Sequence, residues 1–561
     1  MTAPESNHDF KALIASESLA EVNGQVEPGP PSLTPTSRRF GGGIIRAAII
    51  ISVGNIMTRV FGLLRESVLA GLFGTGVFTT AFVIADNTLS IFFDLLVSGA
   101  IGAALVPVLS RYAARAEQRE EFWQIVNTLL TLGLLFLLSV VAILEIFADP
   151  LARFMAVKES AETQDLTVGL IRIILFGIIF LGVSSIMMAA LQALQRFAWS
   201  ALSLAARNAG VVLIALVFGG WLGVWSLVLG VLVGTFLLIV LQAPGLRDLS
   251  LRPSFNFRHP AIGEILRLYR PIFLGLLVTS AALIIDRNLA NQTGPDSIGA
   301  MRYATTLQQF ALGLVGSAIS IAILPTLSRQ AEENDLGQTS AYQQTLMGGL
   351  RLLCVLIIPA TFGLLALALP AISIIFERGA FKDNPHSKWL TLVALLGYLP
   401  GLPAAALDQM LIVAFYARKN TLLPVIVGVF ANLAYLGAAF GLVGMLGMLG
   451  LVLANSLQQI FHMSLMFWFL RRAFGRLGGF GLSQTAAKAT LAALLLGTVA
   501  FLGSGLVLRV LGDGFIANMF ALMVGVGAGG LAYLAALRLL RVDEMSLIWG
   551  AVRRKLTRNN H

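Results

Sequence analysis

Charge is what this chain has least of. Its 561 residues include 39 basic and 29 acidic side chains, 12% in all, against about 25% in soluble globular domains. Hydrophobic residues make up 57% of the chain, and the mean hydropathy is +0.83. No soluble fold could cover its surface at that composition. A cytosolic enzyme, a secreted disulfide scaffold and a disordered chain are therefore excluded, and a polytopic membrane protein remains. Cysteine is nearly absent: Cys354, alone in an apolar run, can form no intrachain disulfide. Histidine is scarce. Of His8, His259, His386, His462 and His561, only His462 falls in an apolar run, and no two stand at metal-ligand spacing. There is no Walker phosphate loop, which excludes ATP hydrolysis by that route. Ser and Gly within the apolar runs are read as contacts between packed helices rather than nucleophiles.

What is present is a succession of apolar runs. Residues 1–40 stand apart as a Pro-rich, aperiodic stretch, read as a disordered cytoplasmic tail. Ser37-Arg38-Arg39 faintly resembles a twin-arginine export signal, but no small-residue cleavage site follows and a first transmembrane helix fits better. Fourteen runs follow, near 44–71, 78–110, 124–147, 167–194, 201–219, 222–242, 270–290, 299–327, 346–375, 388–413, 421–442, 444–470, 485–508 and 514–540. Two joints between long runs are brief, so Gly219-Gly220-Trp221 and Val443-Gly444-Met445 are each expected to be tight turns. With the N-terminus inside, the even-numbered breaks carry Arg111, Arg115, Arg119, Arg196, Arg247, Arg252, Arg258, Arg329, Arg418, Lys419, Arg471, Arg472 and Arg476. The odd breaks carry chiefly Arg153, Lys158, Arg378, Lys382 and Lys388 among acids. The net charge of +10 is thus a topology signal rather than a nucleic-acid footprint, and both termini are expected in the cytoplasm.

The chain also repeats itself. Ser98-Gly99-Ala100-Ile101-Gly102-Ala103-Ala104-Leu105-Val106-Pro107-Val108-Leu109-Ser110-Arg111 recurs 218 residues later as Gly316-Ser317-Ala318-Ile319-Ser320-Ile321-Ala322-Ile323-Leu324-Pro325-Thr326-Leu327-Ser328-Arg329. Phe197 and Phe415 keep the same offset. An even number of spans separates the copies, so they are parallel. This predicts an N-lobe of six helices over 44–243 and a C-lobe of six over 262–476, with the substrate path between them. Helices 13 and 14, within 485–540, lie outside the repeat, and 541–561 is a basic cytoplasmic C-terminus.

An ionisable residue inside a span costs about 2.5–3.5 kcal/mol on insertion scales and is a site candidate by default. The first run holds Arg59, Arg65 and Glu66, the second Asp86 and Asp94, the seventh Asp286 and Arg287, and the eighth Arg302. These are the first two helices of each lobe. Asp86 and Asp94 stand about 80° apart around a helix, so both can face one cavity. The bland alternative for the set is a structural ion-pair lattice. Glu145, Arg172, Arg207 and Asp408 look isolated, for which an interfacial side chain competes with function. Gly62 and Gly99 permit kinks or close approach. Phe376-Glu377-Arg378-Gly379-Ala380-Phe381 reads, on physics alone, as an outer turn with an exposed ion pair.

That last segment, followed by Gly401-Leu402-Pro403 and Ala414-Phe415-Tyr416-Ala417-Arg418, resembles the MurJ (MviN) lipid II flippase family of the MOP transporter superfamily. Thr58-Arg59-Val60-Phe61-Gly62-Leu63-Leu64-Arg65-Glu66, Ala70-Gly71-Leu72-Phe73-Gly74 and Val106-Pro107-Val108-Leu109-Ser110 resemble its opening helices, and the resemblance covers about 44–540. It implies a V-shaped two-lobe fold with 14 helices, alternating access, and flipping of an undecaprenyl-linked peptidoglycan precursor. It implies pyrophosphate binding by Arg59 and Arg65, with Glu66 as the adjoining acid. It also implies, from some members, a sodium site for which Asp286 and Asn432 match two ligands, while Leu436 stands where a further acid is found. Other departures are Thr80 in place of an acid, Phe93 and Asp94 in place of paired arginines, Ser98 in place of Glu, and Thr305-Thr306 in place of Asp-Arg. Arg302, one turn earlier, is the residue able to substitute for that arginine.

The function expected is a flippase for lipid II in cell-wall synthesis, not an enzyme. It would sit as a monomer in the bacterial cytoplasmic membrane, among membrane lipids, without a bound cofactor, and coupled to Na+ or to the membrane potential. The substrate-binding set is Arg59, Arg65, Glu66, Asp86, Asp94, Arg287 and Arg302. The alternatives are a flippase for another polyprenyl-linked glycan, a cation-coupled exporter suited by Asp86 and Asp94, and a membrane enzyme of lipid-sugar chemistry. The last lacks any acid/base or metal constellation.

Overall fold

The computed structural model describes residues 40–98, 104–113, 116–203, 205–248, 252–294, 296–317, 339–418, 422–474 and 480–542, with a few single residues besides. The expected tail 1–40 and the basic segment 541–561 therefore lie, but for Phe40, Arg541, Val542 and Glu544, outside the described residues. By internal contacts the chain divides into units 1–47 and 48–561, and the packing below is that of the second.

Every regular element among the described residues is a helix. Long apolar stretches in which each backbone group must be satisfied locally leave no other choice in lipid. The chain runs through α1 (Phe40–Phe73), α2 (Val77–Phe93), α3 (Val106–Ala113), α4 (Arg119–Met155), α5 (Ala161–Leu175), α6 (Gly177–Ala193), α7 (Phe197–Ser203), α8 (Ala206–Leu222) and α9 (Trp225–Gln242). It continues through α10 (Pro260–Gln292), α11 (Ser297–Leu312), α12 (Thr339–Ala366), α13 (Ala368–Phe376), α14 (Gly379–Asp383), α15 (Pro385–Tyr398), α16 (Leu402–Ala417), α17 (Leu422–Leu446), α18 (Met448–Phe474), α19 (Leu482–Leu511) and α20 (Phe515–Leu539). The described part of each apolar run falls chiefly on one of these helices, on a broken pair or on the π-turn that follows one. Ten spans among the described residues are long and apolar enough to cross a membrane. The other four runs fall on α1, α10, α11 and α18, which hold Arg59, Arg65, Glu66, Asp286, Arg287, Arg302 and His462.

Two expected turns move. α8 runs on through Gly219, Gly220 and Trp221, and the chain reverses at Gly223, whose φ is +54°. Likewise α17 continues through Val443, Gly444 and Met445 and reverses at Gly447, φ +57°. The reversal needs one residue in the left-handed region, which glycine supplies without a Cβ penalty. Several glycines stood near each joint, and which one would take that conformation was not readable from composition.

The repeat is visible in the backbone. α2 ends in a π-turn at Asp94–Ser98 and α11 in a π-turn at Gly313–Ser317, one residue off the offset seen in sequence. Such turns are rare and cluster at functional sites. Within the N-lobe, α8 and α9 touch backbone to backbone. A Cβ on Gly210 would meet Gly234 Cα at 2.5 Å, and one on Gly234 would meet Arg207 O at 2.5 Å. This is the small-residue packing that membrane helices use in place of hydrophobic drive.

At the α1–α2 corner the two repeats meet. Tyr303 of α11 donates its hydroxyl to Gly74 O, and Thr75 bonds Asp296 at 3.0 Å and Ser387 at 2.7 Å. Ser67 donates to Ile375 O. The 376–381 segment is not an exposed ion pair. Phe376 and Phe381 are buried and pack on Tyr303, with ring centroids 4.9 and 5.8 Å away. Glu377 bonds Lys388 at 2.9 Å, while Arg378 donates to Ile374 O and lies over the Phe515 ring. Gly379 has φ +45°, and a Cβ there would stand 2.1 Å from Gly71 O. Its glycine is a requirement of this contact between repeats.

Candidate functional site

The site is built where α1, α2, α8 and α11 come together. Arg65 and Glu66 are adjacent on α1, and successive helical side chains point about 100° apart. The long Arg65 side chain closes that angle. Its Nε and Nη2 donate to Glu66 Oε1 at 3.1 and 2.6 Å. Asp86 of α2 lies 3.7 Å from Arg65 Nη2 and accepts a short hydrogen bond from Arg207 of α8. Arg302 of α11 reaches across from the other repeat, with Nη2 2.9 Å from Glu66 Oε1 and 3.1 Å from Asp86 Oδ2. Glu66 is 2% exposed, Asp86 3% and Arg65 8%.

Three guanidinium groups thus surround two buried carboxylates, leaving one positive charge over. Charges this deeply buried persist only when paired and hydrogen-bonded. Two atoms of the cluster, Glu66 Oε2 and Arg207 Nε, are nonetheless buried without a hydrogen-bond partner. Orphans of this kind in an otherwise satisfied network need an explanation. Here they leave one donor and one acceptor of the cluster unused.

The expected residues divide. Arg65, Glu66, Asp86 and Arg302 converge. Arg59 does not join them: its Nη1 donates to Gln309 O at 2.6 Å, and its guanidinium packs against Gly313, where a Cβ would stand 1.9 Å from Arg59 Nε. Arg287 lies beside its own neighbour Asp286, 3.6 Å away. Asp94 opens the π-turn and is exposed, so it does not share the burial of Asp86. Thr305 and Thr306 donate to the carbonyls of Met301 and Arg302 one turn back, and Thr80 is fully buried. Arg302 alone of that stretch enters the cluster.

Asp286 accepts from the Tyr435 hydroxyl, and Asn432 Oδ1 accepts from Gln458 at 2.7 Å. These two expected cation ligands thus hold separate protein partners on contacting helices. Among the described residues, no group of three or more His, Cys, Asp or Glu stands ready for a metal ion.

Two residues that looked isolated are not. Arg207 is a member of the cluster, and Asp408 pairs with His462, Oδ1 to Nδ1 2.7 Å. An arginine inside a span with no acid on its own helix implies an acid on another. That signal was present in the sequence, but which acid it meets is decided by packing.

An all-helical multi-span chain with two related halves, joined through buried charge at their first two helices, defines a membrane transporter of the MOP type. Solved structures share this fold. "Lipid II flippase MurJ, inward closed conformation" superposes with TM-score 0.72 at 21% identity, over 88% of this chain and 100% of the other. An inward-facing MATE-family multidrug transporter gives 0.63 at 16%, over 77% and 98%. The family model "Lipid II flippase MurJ" matches residues 69–522, and the chain belongs to that family. Its relatives include the probable lipid II flippases MurJ of Vibrio cholerae, 29% identical over 438 residues (76% of this chain, 82% of the relative), and Rickettsia prowazekii, 26% over 436 (76% and 83%).

Proposed function

We propose that this chain flips lipid II, an undecaprenyl-pyrophosphate-linked saccharide, across the bacterial cytoplasmic membrane by alternating access. One observation carries the reading: Arg65, Arg207 and Arg302, from three helices of both repeats, converge on only two carboxylates. Guanidinium forks bind phosphate oxygens bidentately and stay protonated in a poor dielectric. Glu66 and Asp86 hold those forks when no substrate is bound, so the buried cations are never unpaired. An arriving pyrophosphate competes with the two acids for the same donors and finds Arg207 Nε unused. Arg302 is the one member of the cluster contributed by the second repeat. The cluster therefore reads whether the repeats are together, and separating them removes one positive charge from the anion's surroundings. That differential contact between two states is what lets a ligand shift the equilibrium between them.

Cytoplasmic termini belong to the same proposal, supported by the distribution of arginine among the loops. The lipid tail would stay in the bilayer beside α19 and α20, and the protein would act as a monomer. Coupling to Na+ through Asp286 and Asn432, or to the membrane potential, belongs to the same proposal. It is supported by Asp286 being buried at 8% exposure on a helix that packs against the one bearing Asn432.

The test is transport of labelled lipid II by purified protein in vesicles. Arg65→Ala should abolish it at matched insertion, and Arg65→Lys should restore only part, because a point charge loses the bidentate geometry. Full activity in Arg65→Ala with loss in Asp94→Asn would move the assignment to an exporter of cations.

A further inference from the structure

The C-lobe holds a second set of buried polar side chains that the proposed binding of lipid II does not use. His462 lies near the middle of α18, a 27-residue helix. Its Nδ1 is 2.7 Å from Asp408 Oδ1 on α16, and the two side chains are 13% and 10% exposed. An ionisable pair at this depth is costly and marks a pathway more often than a scaffold. Histidine is also the side chain whose proton affinity sits closest to neutrality.

The surroundings give the pair something to control. α15 and α16 are two halves of a broken helix, interrupted at Leu399–Gly401. Ser456 of α18 clamps the break: its hydroxyl donates to Gly397 O at 2.7 Å and accepts from Gly401 N at 3.1 Å. α18 is thus fastened to this broken helix twice, by a neutral clamp at the end of α15 and the break, and by Asp408–His462 on α16. Next to Asp408, Gln409 packs on the π-turn that ends α11, where a Cβ on Gly316 would stand 2.8 Å from Gln409 Oε1. The first residue of that turn, Gly313, is the one against which Arg59 of the other repeat is packed. A contiguous route therefore links the Asp–His pair to α1, which carries Arg65 and Glu66.

The ionisable groups on the helices around α18 are few. Asp408 is on α16, with Arg418 at its end. Tyr435 is on α17, and Tyr398 closes α15, with His386 and Lys388 at its start. Tyr416 is also on α16, Glu264, Arg267, Tyr269, Arg270, Asp286 and Arg287 are on α10, and Arg471 and Arg472 lie in the last turn of α18 itself. Asp286 is engaged by Tyr435 and Arg287, so Asp408 is the acid that bonds His462. His462 Nε2 faces Gly428 of α17, where a Cβ would lie 3.7 Å away.

We infer that the Asp408–His462 pair is a proton-binding site, and that uptake and release of one proton there is coupled to the motion that carries substrate. With neutral imidazole the pair bears one negative charge; after uptake it is an imidazolium–carboxylate pair with none. That change in a low dielectric alters how tightly α16 and α18 are held, and with them the π-turn under Arg59. A proton entering from the outer side and leaving inside would accompany outward movement of the lipid. The inference rests on the flippase reading for its substrate, but not for the site itself.

Two measurements on the reconstituted full chain separate the inference from that reading. The first is flipping of labelled lipid II with the membrane potential clamped and the pH gradient varied. Acidifying the outer side should accelerate outward flipping in the wild type, by up to about tenfold per pH unit, the limit for uptake of one proton. His462→Gln and Asp408→Asn should flatten this dependence, whereas Ser456→Ala, which loosens α18 from the same broken helix without removing a titrating group, should keep it. The second uses spin labels at Val157 and Leu369, with no substrate present. Their separation should change with pH in the wild type and not in His462→Gln. Flipping that ignores the gradient, with label distances insensitive to pH, would overturn the proton site and leave the flippase reading intact. Absence of flipping with a pH-dependent distance that His462→Gln abolishes would do the reverse. A pH response that persists unchanged in His462→Gln and Asp408→Asn would also overturn it.

Discussion

Asp86 is the residue on which the ion-pair cluster turns. It pairs with Arg207, Arg302 and Arg65 at once, whereas each arginine other than Arg207 also has Glu66. Removing one partner of a buried pair leaves an uncompensated charge, at about 3–5 kcal/mol. Asp86→Asn should therefore lower the melting temperature in detergent well below that of Arg207→Gln, which leaves Asp86 still held by Arg302 and Arg65. Equal shifts for the two variants would mean the cluster is not organised around Asp86. Arg302→Gln should cost less stability than Asp86→Asn and yet stop transport, since it removes the one side chain of the second repeat that, among the described residues, meets both acids.

Among the elements, the short connections carry more information than the long helices. Gly379 holds a left-handed backbone and leaves no room for a Cβ against Gly71 O, so Gly379→Ala meets both a backbone penalty and a clash. It should loosen the contact between the 376–381 segment and the end of α1, read as faster proteolysis or a wider label distance between those two places. Gly220 is the control. It lies inside α8 with nothing within 4 Å of an added Cβ, and Gly220→Ala should raise stability by about 0.5–1 kcal/mol as a helix-interior glycine is replaced. If both substitutions destabilise alike, the geometric distinction fails.

For the molecule as a whole, topology is the property most open to direct test. Cys354 is the single cysteine and is buried, so the wild-type background is silent to a membrane-impermeant thiol reagent. Cysteine placed at exposed Ser160, in the turn before α5, should label from outside, and cysteine at Gln330 only from inside. The reverse pattern would invert the orientation derived from the arginine loops. An isolated outlier would instead point to one misassigned span.

The class of protein, the helical segments and the doubling of the chain were all legible in sequence, because each depends on local properties. Apolar length decides what can enter lipid, and each copy of the repeated motif begins at the end of a π-turn. Of the cluster, Arg65, Glu66, Asp86 and Arg302 were legible because charge inside a span is costly and so announces itself. Which charges meet was not. Arg207 and Asp408 looked isolated until α8 came against α2 and α18 against α16. Arg59 and Asp94 had the right composition but stand apart from the cluster, Arg59 packed against a glycine and Asp94 exposed at the end of α2. Pairing depends on distances of a few ångströms between helices far apart in sequence. A helix's own periodicity fixes which face a residue occupies, and only the packed bundle decides what stands opposite it.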